Sequence, residues 1–107
     1  MRTYLFHFSY SADALRSMIG NPQDRKAAAA AAAESLGGKL TGFWFAFGKY
    51  DGHGLAEFPD DSSAAAFAVT VGSTGALSKF VTVPLMEVEE GLAAFRAAQS
   101  ASYTPPG

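Results

Sequence analysis

Cysteine is absent from the 107 residues, which removes disulfide scaffolds, thiol nucleophiles and zinc-thiolate centres together. Runs of Lys or Arg are missing too, and the formal net charge is −2. Counterion release at phosphates therefore offers little, and no nucleic-acid partner is expected. Long hydrophobic runs are also lacking. The most uniform one, Ala27 to Ala33, is too short and too weakly apolar to cross a bilayer, so no membrane partner is expected. The opening Met1-Arg2-Thr3-Tyr4, followed by alternating Phe6, His7, Phe8 and Ser9, is not a secretory signal. A soluble, cytoplasmic protein is the expectation. No Ser, His and Asp stand in a nucleophile-elbow pattern. The glycine-rich Gly72-Ser73-Thr74-Gly75 follows a helix pattern rather than preceding one, which argues against a phosphate cradle. Neither a cofactor nor a resident metal is expected, and no catalytic residue can be assigned.

Apolar residues are plentiful at 49%, against 17% charged, the balance of a chain that folds around a core. The length allows one domain, residues 1–99, with a small, polar, Pro-rich tail over 100–107. A first strand spans Thr3 to Ser9, and Ser11 to Ile19 holds a short helical turn ending at Gly20. Asn21 can cap a helix, Pro22 suits its first position and Asp24 can complete a capping box. Its body, Arg25 to Leu36, is nearly all alanine, with high propensity and little bulk, so it can lie close to a sheet. Gly37-Gly38 stops it. Strands over Lys39–Phe47 and Tyr50–Phe58 leave only Gly48-Lys49 between them, the pattern of a type II′ hairpin. Pro59 ends the strand, and Asp60 or Asp61 caps a helix to about Thr74, with Ala64, Phe67, Ala68 and Val71 along one stripe. Gly72 within it would permit close backbone packing. A fourth strand, Ala76 to Leu85, and a helix, Met86 to Gln99, complete the order. The pattern is α+β: βαββαβ with a four-stranded antiparallel sheet, two helices on one face and an extra C-terminal helix, a ferredoxin-like arrangement.

The strand patterning departs from a sheet that is apolar toward helices and polar toward water. Tyr4, Phe6, Phe8 and Tyr10 share one side of the first strand, with Leu5, His7 and Ser9 opposite. In the second strand Phe43, Phe45 and Phe47 share a side, with Leu40, Trp44 and Ala46 opposite. Bulky apolar groups on both parities predict that both faces are covered, one by a second copy of the chain. A homodimer or higher oligomer is the expected partner state.

The segment Gly48-Lys49-Tyr50-Asp51 resembles the Gly-x-Tyr-Asp hairpin that defines the GYD domain family. The Arg25 helix start, the Gly37-Gly38 break, Pro59-Asp60-Asp61 and Gly75 resemble that family too, so the likeness runs from the first strand to the start of the last helix. It implies a ferredoxin-like domain related to the dimeric α/β-barrel proteins, a group that includes cofactor-free monooxygenases, isomerases and haem enzymes. No activity carries over from it. The alanine-rich first helix and Gly52 and Gly54 depart from the family pattern, changes that reshape a pocket or admit closer helices.

Strand period places His53, Leu55 and Glu57 on one face, opposite the small Gly52, Gly54 and Ala56. His53 and Glu57 are then expected to line any small-molecule cleft, with His7 joining them if the register between strands agrees. Together the three suggest a proton-handling or metal-binding cluster. Hydrogen-bonded polar residues at an interface are the plainer alternative. Trp44 offers a stacking surface for a planar ligand. Three functions remain open: a homo-oligomeric module binding an apolar or aromatic metabolite at the sheet, a cofactor-free isomerase or monooxygenase, and an oligomer without a ligand.

Overall fold

The computed structural model describes residues 1–107. Its elements are β1 (Arg2–Tyr10), α1 (Ala12–Gly20), α2 (Arg25–Ser35), β2 (Lys39–Phe45), β3 (Gly52–Phe58), α3 (Asp61–Gly72), β4 (Leu77–Leu85) and α4 (Val88–Gln99). The four strands form one antiparallel sheet in the order β2-β3-β1-β4. This is the ferredoxin-like α+β arrangement, with α2 and α3 on one face.

Helix starts follow local chemistry. Ser11 and Asp60 accept the backbone N–H of Ala14 at 3.1 Å and of Ser63 at 2.8 Å. That second bond holds the Asp60 carboxyl below the usual carboxylate range. At α2 the cap is Asp24, accepting from the Ala27 N–H at 3.0 Å. Asn21 instead closes α1, a full nine-residue helix where a single turn was expected. Its backbone N–H reaches the Ser17 carbonyl at 2.9 Å. At the end of α2 the Gly37 N–H reaches the Glu34 carbonyl at 3.0 Å and the Gly38 N–H the Ala33 carbonyl at 2.9 Å. With Gly37 at φ +77°, this is a Schellman ending, which demands a left-handed residue.

The hairpin differs from its sequence pattern. The strands stop at Phe45 and resume at Gly52, leaving a six-residue loop closed by the Ala46 N–H on the Asp51 carbonyl at 2.8 Å. Gly48 lacks the positive φ of a type II′ turn, since only Gly37 and Gly75 have one. A longer loop spreads the reversal over more residues, so no left-handed glycine is required. Asp51 anchors it by accepting the Tyr10 N–H at 2.9 Å.

The core lies between the sheet and α2–α3. Tyr4, Phe6, Ala33, Ala56, Phe58, Ala64 and Phe67 are buried there. Phe6 stands 5.2 Å from Phe67 and 5.4 Å from Phe80 between ring centroids, the spacing of favourable aromatic pairs. The Tyr4 hydroxyl donates to Asp61 at 2.5 Å. Burial first, and the adjacent carboxylate second, push that hydroxyl above its ordinary range. A register shift between Leu40 and Gly42 reverses the parity of β2. Leu40 therefore packs on the core beside Phe43's face, not with Trp44. Gly72 has no neighbour within 4 Å of where a Cβ would stand, so it does not serve close packing.

Helix α4 extends away from this body. The radius of gyration is 17.2 Å, against about 13 Å for a compact chain of this length. Arg2 pairs with Glu90 at 3.5 Å, tying the first turn of α4 to β1. Val88 and Phe95 are 77% and 75% exposed, so they form an apolar stripe that nothing in its own chain covers. No helix is long and apolar enough to cross a membrane.

The two glycine turns should respond differently to substitution. Gly37→Ala should lose about 1–2 kcal/mol in urea unfolding, because it forces a Cβ into left-handed backbone. Gly48→Ala should stay within about 0.5 kcal/mol of the parent, as an open surface site does. Equal losses at both would contradict the loop geometry described here.

Candidate functional site

Pairing of β1 with β3 sets His7 directly opposite His53. Both project from the face away from α2 and α3, and their Nδ1 atoms lie 2.8 Å apart. At that distance one Nδ1 must donate and the other accept, so the two rings cannot both be protonated without breaking the contact. Tyr50 stacks on His7 with centroids 5.2 Å apart and planes at 21°. The Lys79 Nζ lies 5.6 Å from the Tyr50 ring centroid, and Lys49 Nζ 5.8 Å from it, within cation–π range. The Tyr50 and Asp51 of the hairpin thus have separate tasks, one covering the histidines and one fixing the loop to β1.

Trp44 pairs with His53 in register and lies over Gly42, where a Cβ would meet its ring at 2.3 Å. Glu57 pairs with Thr3 and Lys39, four residues along the strand from His53, roughly 13 Å away. The expected trio therefore does not assemble. His7 and His53 meet, Trp44 neighbours them, and Glu57 stands apart because strand rise outruns side-chain reach. No three His, Asp or Glu side chains come close enough together to hold a metal ion.

A larger concavity occupies the other face. A cavity of about 250 Å³ opens between the sheet and α2–α3. Phe6, Phe8, Phe43, Phe67 and Phe80 are among the rings lining it, while Ala28, Ala29, Ala32 and Gly54 form walls with almost no side chain. The alanine-rich helix was expected to sit close to the sheet. Here its short side chains leave the space unfilled instead, and Gly54 adds to it. None of His53, Glu57, His7 and Trp44 lines this cavity, because their strand parity carries them to the opposite face.

At one end the cavity meets a second hollow of about 200 Å³, bordered by Ala14, Ser17, Met18 and Gln23. Tyr10, Arg25 and Ala76 border both spaces. Burial pushes the Tyr10 hydroxyl up; the Arg25 guanidinium opposes that shift, and the Asp51 carboxylate adds to it. Arg25 donates to the Gln23 side-chain carbonyl at 3.1 Å and has no carboxylate partner among the ion pairs of the chain. Sequence patterning did not single out Arg25 or Tyr10 as site residues. The available signal was a run of alanines facing a strand that carries glycine.

These features define a ferredoxin-like α+β domain with one open sheet face and one apolar cavity under its helices. The GYD domain family model matches residues 4–94, and the chain belongs to that family. Comparison with curated proteins finds no match. A solved structure described as "crystal structure of FFRP-DM1" is similar, with a TM-score of 0.50 at 12% identity, covering 80% of this chain and 100% of that one. That likeness concerns the fold alone.

The histidine contact carries its own test. In long-range proton–nitrogen NMR at alkaline pH, one of His7 and His53 should be the Nδ1–H tautomer. Finding both as Nε2–H tautomers, which turns two lone pairs toward each other, would contradict the pairing.

Proposed function

We propose that this GYD-domain protein is a homo-oligomeric binding module that holds a small apolar or aromatic molecule between its sheet and helices. The cavity of about 250 Å³ carries this reading, since an apolar cavity of ~150 Å³ suffices for benzene. The pocket is apolar with a few polar groups at one end, the usual character of a small-molecule site. The site differs from the expected one at His53, Glu57, His7 and Trp44, which belongs to the open face. A cofactor-free isomerase or monooxygenase is less favoured, because the imidazoles lie across the sheet from the cavity.

Self-association is the second part of the proposal, with another copy of the chain as occupant of the open face. Leu5, Leu55, Val81 and Val83 project there beside the histidines, by their register with one another. Strands of seven to nine residues make a face of roughly 30 by 19 Å. Adding the uncovered stripe of α4 brings it toward the ~800 Å² per partner of a stable interface. A two-fold pairing would bring two identical apolar faces together and bury both.

Two measurements test these halves separately. Indole should bind the parent with a calorimetric signal, and Ala29→Leu should abolish that binding while raising the melting temperature, as cavity filling does. Absence of indole binding in the parent, or undiminished binding in Ala29→Leu, would refute the site. In sedimentation at micromolar concentration the parent should run as a dimer or larger, and Leu5→Lys should run smaller. A monomeric parent would refute the assembly.

A further inference from the structure

We infer that the ligand is an amphipathic monoanion, an apolar or aromatic body carrying a carboxylate, with Arg25 receiving the carboxylate. This rests on the binding reading above and names the ligand class for that same cavity. Three observations carry it. First, the two hollows differ in character and share a threshold. Phenylalanines and alanines line the larger one, whereas Ser17 and Gln23 offer a hydroxyl and an amide in the smaller. A molecule spanning both would be apolar at one end and polar at the other.

Second, Arg25 is the single charged side chain bordering either hollow. No Asp or Glu lines them, so a ligand amine would meet a cation with no counter-charge, while a carboxylate would meet its complement. Arg25 donates to the Gln23 amide oxygen but takes part in none of the chain's ion pairs, so no carboxylate of the chain competes for it. A guanidinium presents two parallel N–H donors, which match a carboxylate in a way a lysine ammonium does not.

Third, Tyr10 stands at the same threshold. Its hydroxyl is protonated at neutral pH as any phenol with a pKa of about 10 is, and burial pushes it further up. It can therefore donate a hydrogen bond to an anionic oxygen beside Arg25. Half-burial of both residues weakens competition from water without removing access.

A matched pair of probes tests this: 3-phenylpropionate and 3-phenylpropionamide, which differ in charge and little in shape, titrated into the full-length protein by calorimetry. The acid should bind at least about tenfold more tightly than the amide, the scale of a charge-assisted pair. Arg25→Gln should erase the preference by weakening the acid and leaving the amide unchanged. Arg25→Lys should keep part of it, and circular dichroism should show all three proteins equally helical. Equal binding of acid and amide by the parent would overturn the carboxylate assignment while leaving the apolar cavity standing. Failure of both probes, with indole also unbound, would overturn the cavity reading itself. A preference that survives in Arg25→Gln would overturn the role of Arg25.

Discussion

A mismatch of volume between two facing surfaces governs this molecule. The sheet presents large rings, Phe6, Phe8, Phe43 and Phe80, toward a helix whose facing residues are alanines. Phe6 is held between Phe67 and Phe80, at 5.2 and 5.4 Å between centroids, and Phe8 stands 5.5 Å from Phe43. Rings fixed by neighbours in this way cannot swing up to close a gap above them. The helix cannot sink either, because its C-terminal end already touches the sheet: Ala33 is fully buried in the core, and a Cβ on Gly38 would meet the Phe58 ring at 2.5 Å. The space between persists, and one end of it opens beside Arg25.

Strand β1 serves both faces at once, through its period of two. Tyr4, Phe6 and Phe8 are buried toward the helices, while Leu5 and His7 project to the other side, opposite Leu55 and His53. The proposed ligand site and the proposed self-association face are thus separated by the thickness of one sheet. Occupation of the cavity would act on the rings of β1, and pairing of copies would act on the alternate residues of the same strand. Given that separation, a substitution on one face should leave the other intact.

Much of this was legible in the residues. Alternation in β1, the cap at Asp60 or Asp61, and the small face of Gly52, Gly54 and Ala56 led directly to the sheet, the helices and the helix-facing side of β3, while the cap of α2 fell on Asp24 rather than on Asn21. Three features were not. The bulge between Leu40 and Gly42 inserts a residue that strict alternation cannot anticipate, and it moved Leu40 to the core. The hairpin lengthened because Asp51 is engaged with Tyr10, a contact between distant residues. The candidate site was sought among chemistry-bearing side chains, His53, Glu57, His7 and Trp44, whereas the cavity arises where side chains are missing. Only the pairing of helix with sheet turns a run of alanines into a hollow.

The division of labour between the two faces is open to a single measurement. Methyl resonances of Ala28, Ala29 and Ala32 report the cavity, and those of Leu5, Val81 and Val83 report the open face. With indole added at fixed protein concentration, the alanine methyls should shift and the others should hold; on dilution without indole, the order should reverse. Indole shifts concentrated at Leu5, Val81 and Val83, with the alanines unmoved, would contradict the account and return the ligand to the face of His7 and His53.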